Sequence, residues 1–138
     1  VVAFVHRFHV PLEERMQTAL AIYAIAVGVL VAGLWLTSLA RGAVPELVTE
    51  PRAIRFHLGA EGLMALALVA GGVLTLAEAA IGQPVLALAF GMTMYSVIAS
   101  SGYFAEREEM APVVLFGLLF VLTALAGACL VGIIAAAA

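Results

Sequence analysis

The residues with the greatest chemical capacity stand close together, in the run Phe56-His57-Leu58-Gly59-Ala60-Glu61. His57 and Glu61 are four apart, so on a helix they share one face. Glu61 lies inside an apolar run, where an ionisable side chain is costly unless it is paired, neutral or wetted. A carboxyl so placed can carry a proton, anchor a ligand or contribute to a metal site. It can equally bond neighbouring hydroxyls and hold helices together. A later segment supplies such hydroxyls: Tyr95, Ser96, Ser100 and Tyr103 fall on one helical face, with Ala99 among them. Antiparallel packing of the two segments brings Ser100, Tyr103 and Arg107 to the depth of Arg55, His57 and Glu61, with Tyr95 deeper. His57, Glu61, Tyr95, Ser96, Ser100 and Tyr103 are therefore the candidate ligand-binding or proton-carrying residues. The same hydroxyls are also suited to bridging helices or anchoring at a membrane interface.

Other chemistry has thinner support. A zinc site takes three or four ligands from Cys, His and carboxylates. His57 and Glu61 supply two, and His6 and His9 precede the first apolar run, at the opposite end, so no metal is expected. Haem between helices would pair His57 with Met92 or Met94. No cofactor is expected, with haem or a quinone kept as alternatives. Cys129 is the only cysteine, which rules out an intramolecular disulfide, and it reads as a small apolar filler. No nucleophile elbow, phosphate loop, dinucleotide fingerprint or zincin pattern occurs, so the reading leans away from an enzyme.

The elements that must position these residues are set by the solvent. Of 138 residues, 65% are hydrophobic and 11% charged, whereas a soluble domain carries about 25% charged residues. Too few polar residues are present to make a water-facing skin, so most of the surface must face lipid. A spanning helix needs about 20 apolar residues, and four segments qualify, at roughly 17–40, 56–80, 84–104 and 111–135. The first is too long for a signal-peptide core and is read as a retained span. The expected fold is all-α, an antiparallel four-helix transmembrane bundle forming one integral membrane domain. Thr49-Glu50-Pro51 reads as a helix start, with Thr49 as the cap and Pro51 in the first turn. Gly82-Gln83-Pro84 reads as a tight break, and Val44-Pro45-Glu46-Leu47-Val48 as a segment lying along the interface.

Small residues mark helix contacts. Gly71 and Gly72 continue the stripe of Glu61, Met64, Ala65, Leu68 and Thr75, so this face is expected to point inward. Ala24, Gly28 and Ala32 form a second ladder that marks close helix packing; it is the first candidate for a seam between copies or with a partner subunit, and packing within the chain would leave the same signature. The partners expected are thus the lipid bilayer and a homo-oligomer or larger membrane complex. Net charge is −3 and no basic run occurs, so nucleic acid is not expected. All six basic residues are arginines. Arg41, Arg52, Arg55 and Arg107 flank the first and third loops, against Arg7 and Arg15 on the other side. The positive-inside rule then favours those loops in the cytoplasm, with both termini inside as the alternative; either way the expectation is a multi-pass protein of the cell inner (plasma) membrane.

Phe56-His57 with Ala60-Glu61, the Gly71-Gly72 pair, Gly91-Met92 with Tyr95, and Gly102-Tyr103-Phe104-Ala105 resemble a group of uncharacterised small four-helix prokaryotic membrane proteins. A looser resemblance is to DoxX-like proteins, four-helix membrane proteins with an acidic residue early in the second span, where Glu61 stands. The basic residue that DoxX-like bundles carry later has no counterpart inside a span here, since Arg107 falls in a link. The function expected is a non-enzymatic structural or accessory subunit, or a binder of a lipidic or small ligand at a Glu61 pocket. The alternative is a transporter-like or redox-linked protein using Glu61 as proton carrier.

Overall fold

The structure is a computed structural model and describes residues 12–137. His6, His9 and Arg7 lie outside the described residues. Four long helices pack antiparallel: α1 (Leu12–Ala40), α3 (Pro51–Leu76), α4 (Gly82–Ala105) and α5 (Met110–Ala137). A one-turn helix, α2 (Glu46–Thr49), straps the link between α1 and α3. With 24 to 29 residues each, the long helices measure roughly 36–43 Å at 1.5 Å per residue. That exceeds the hydrocarbon thickness of about 30 Å. A helix satisfies all its backbone groups internally, which is what lipid demands. Large apolar side chains cover the outside, among them Leu34, Leu66, Leu88, Leu118 and Leu125. The surface is that of a multi-pass membrane protein.

The ends of the helices carry their own signals. α1, α3 and α4 all end in the same way. The amide of Ala43 reaches the Ser38 carbonyl, that of Ala79 reaches Leu74, and that of Glu109 reaches Phe104. Each is the long bond of a Schellman motif, and the residue before it is left-handed: Gly42 at φ 63°, Glu78 at 55° and Glu108 at 60°. Glycine meets this demand at Gly42, whereas Glu78 and Glu108 carry a Cβ there. Thr49 does not cap α3. It closes α2 in helical conformation, and Glu50 (φ −136°) takes the capping position without a side-chain bond, followed by Pro51. α3 ends at Leu76, short of the expected 80, and Gly82 opens α4 rather than preceding it. Gly82 is pressed against α3, where an added methyl would stand 2.6 Å from the Thr75 amide nitrogen.

α3 is central, packing along α1 on one side and α4 on the other, while α5 lies along α4. The core is built from Ala24, Val27, Met64, Leu68, Leu86, Ala89, Phe90, Ala126 and Leu130. α1 and α5 meet narrowly, through a 2.7 Å hydrogen bond between the Tyr23 and Thr123 hydroxyls. Glycines set the spacing: a methyl on Gly28 would lie 2.8 Å from the Ala65 carbonyl oxygen, and one on Gly72 2.7 Å from that of Ala21. Gly71 meets α4 in the same manner, at the Leu86 amide. Of the two uses open to the ladder, packing within the chain is the one that Ala24 and Gly28 serve. Ala24 and Gly28 are buried within the chain against α3, because the stripe of small residues on α3 lets the two backbones approach.

Candidate functional site

Glu61 is the eleventh residue of α3, about 15 Å along that helix, and it faces inward, 8% exposed. Opposite it on α4, the Ser96 hydroxyl donates a hydrogen bond to Glu61 Oε1. The antiparallel pairing accounts for the meeting, since Ser96 is the tenth residue back from the end of α4. Among the described residues no arginine or histidine nitrogen comes within ion-pair distance of Glu61; the one ion pair lies elsewhere.

The pair stands in a groove of about 320 Å³ between α3 and α4. Its walls are His57, Ala60, Glu61 and Met64 on one side and Gly91, Met92, Tyr95, Ser96 and Ala99 on the other. From His57 to Met64 the groove runs about 10 Å along the helix axis. Ala60, Gly91, Tyr95 and Ala99 are exposed on the bundle's outer surface, well inside helices long enough to span. The mouth therefore opens sideways, on the lateral face of the bundle. Gly91 widens it, with no atom within 4 Å of where its Cβ would be. The lining is mostly apolar, and two thioethers, Met64 and Met92, give it walls that adapt to a guest.

Four of the six expected residues, His57, Glu61, Tyr95 and Ser96, line this groove. His57 forms no bond with Glu61; its ring stands edge-on to Trp35 of α1, centroids 5.6 Å apart. Ser100 is half-buried and does not line the groove. Tyr103 belongs to a different cluster. Its hydroxyl donates to Glu46 Oε1 on the α2 strap, Arg107 Nη2 lies 3.4 Å from the same oxygen, and the Arg107 guanidinium sits 3.5 Å above the Tyr103 ring. Tyr103 lies one turn beyond Ala99, the last α4 residue of the groove, and its hydroxyl is taken by the Glu46 carboxyl of the strap. Tyr103's bond, then the carboxylate's own backbone amide, and last the Arg107 charge hold the Glu46 carboxyl below its ordinary range, against a smaller push upward from burial. Glu46, Trp35, Ala60 and Gly91 were not among the expected site residues, although the sequence places Ala99 on the hydroxyl-bearing face of α4 and Glu46 in the interfacial segment. Among the described residues no three His, Cys, Asp or Glu side chains gather as metal ligands.

The chain matches the family described as Domain of unknown function (DUF8058) over residues 14–136, nearly its whole length, and belongs to that family. No curated protein and no solved structure matches it.

Proposed function

We propose that this DUF8058 protein is a non-enzymatic membrane protein that holds a bilayer-dissolved ligand in the groove between α3 and α4. The observation that carries the reading is a buried carboxyl bonded to a half-buried hydroxyl in a mostly apolar groove on the lateral face of the bundle. Ligand sites are concave and mostly apolar, with a few convergent polar groups to orient the guest, and they begin at about 300 Å³. Glu61 and Ser96 are those polar groups here, and Tyr95 with His57 frame them. A groove some 10 Å long suits one ring or a short chain segment, with any remaining tail left in the bilayer. The cell inner membrane is the proposed location. Assembly with copies of itself or with other subunits belongs to the same proposal, through faces other than the Ala24–Gly28 ladder.

The experiment is extraction in a mild detergent, followed by an absorption spectrum and mass spectrometry of whatever co-purifies. The expected result is a bound small molecule that is lost from Gly91→Leu, whose side chain fills the groove. Equal yields from wild type and variant would sink the reading. A proton-carrying role for Glu61 is the second reading, favoured by the lack, among the described residues, of a cation beside its carboxyl. It predicts that Glu61→Gln abolishes proton flux across reconstituted vesicles.

A further inference from the structure

We infer that the groove takes a lipophilic cation, an amphiphile whose positive head is held by Glu61 while its tail stays in the bilayer. The inference rests on the ligand-holding reading above and deepens it. It begins from an asymmetry of charge. Glu61 lies about 15 Å along α3, yet the described residues around it carry no compensating charge within ion-pair reach. Its one bond comes from the neutral Ser96 hydroxyl. An ionised carboxylate in low dielectric is costly without a counter-charge. Bundles that keep such a group usually supply the partner from another helix; here the described helices supply none, and a guest can.

The rest of the groove suits a cation rather than an anion or a plain hydrocarbon. The hydrogen of Ser96 is already committed to Oε1, so an ionised floor presents acceptors only: the second carboxyl oxygen and the serine lone pairs. Tyr95 stands at the rim with its ring exposed, and an aromatic face attracts a cation. Met64 and Met92 add polarizable sulfur. The lateral mouth admits an amphiphile from the acyl-chain region, so a quaternary or protonated amine with a chain or ring attached is the class that fits. His57, at the outer end of the same groove, has its ring turned edge-on to Trp35.

The test uses the full chain in phosphatidylcholine nanodiscs and radiolabelled dodecyltrimethylammonium, with empty nanodiscs as background. This probe has no N–H, so it isolates charge from hydrogen bonding. Dodecanol, which has the same chain and a neutral head, is the competitor. Saturable binding is expected, weakened at least tenfold in Glu61→Gln and abolished in Gly91→Leu. Dodecanol at equal concentration should displace little of it. Glu61→Gln keeps an oxygen to accept from Ser96, and circular dichroism checks that both variants stay helical. Unchanged binding in Glu61→Gln, or dodecanol competing as well as the cation, would overturn the cation inference. The groove reading would survive that result if Gly91→Leu still blocked both probes. Lack of saturable cation binding to wild type would also overturn the inference, whereas the co-purification experiment judges the groove reading separately. Binding indifferent to Gly91→Leu would remove both.

Discussion

At the scale of single residues, the pairing of Glu61 with Ser96 makes a stability prediction free of any ligand. Ser96→Ala removes the donor and leaves a buried carboxyl without its partner. Leaving a buried polar group unsatisfied costs about 1–3 kcal/mol, and reversible unfolding in mixed micelles should register a loss of that order. Glu61→Gln should cost less, because its amide oxygen still accepts from Ser96. The Glu46 carboxyl makes a second prediction. Its value in the folded protein is depressed, first by the Tyr103 hydroxyl. The tie is therefore complete above the ordinary carboxylate range and is lost as pH falls through the depressed folded value. Spin labels at Leu47 and Ala105 should report one narrow distance at neutral pH that broadens on acidification, and a broad one at every pH in Glu46→Ala, which has no acceptor for Tyr103. The two clusters differ in how far the sequence disclosed them. Glu61 and Ser96 were legible as candidates because each sits on a helical stripe, but antiparallel pairing by itself puts Ser100 at the depth of Glu61, and the partner is Ser96, one turn deeper along α4. Glu46 and Tyr103 are far apart in the chain and meet through a one-turn strap, whose course no periodicity records.

At the scale of elements, the three matching helix ends separate backbone demand from residue choice. Gly42 meets the left-handed position without a Cβ, while Glu78 and Glu108 hold it with one. A left-handed residue with a Cβ costs about 1–2 kcal/mol, so Glu108→Gly should raise stability by about 1 kcal/mol without moving α4 or α5. Thermal unfolding in mild detergent is the measurement, and a loss of stability would show that the Glu108 side chain has a role of its own. The contact of α1 with α3 gives the opposite sign. Gly72→Leu forces a side chain into the Ala21 carbonyl and should destabilise by about 1–3 kcal/mol, as overpacking does. The four spans were readable because length and apolarity alone define them. Some ends were readable too, Ala40 closing α1 and Pro51 opening α3 as expected, but α2 occupies Thr49 and the break at Gly82 depends on how closely it approaches Thr75.

At the scale of the whole molecule, the chain's arginines argue an orientation. Arg41, Arg52, Arg55 and Arg107 all lie at the end that carries the α2 strap. Arg107 faces Glu46, but acidic residues weigh little in the positive-inside rule. The strap end is therefore predicted to be cytoplasmic. Glu108→Cys in a Cys129→Ala background should resist an impermeant thiol reagent applied to intact cells and react once the membrane is opened. Strong reaction in intact cells would reverse the assignment, and with it the leaflet nearer to His57.

The edge-on contact between Trp35 and His57 has a practical consequence. Trp35 is the chain's single tryptophan, so all indole emission from the molecule originates beside the outer end of the groove. Wild-type protein is in that sense already labelled. A guest that disturbs His57, or a change in the charge of that imidazole, alters the brightness or colour of one chromophore, with no dye, tag or substitution between the event and the light.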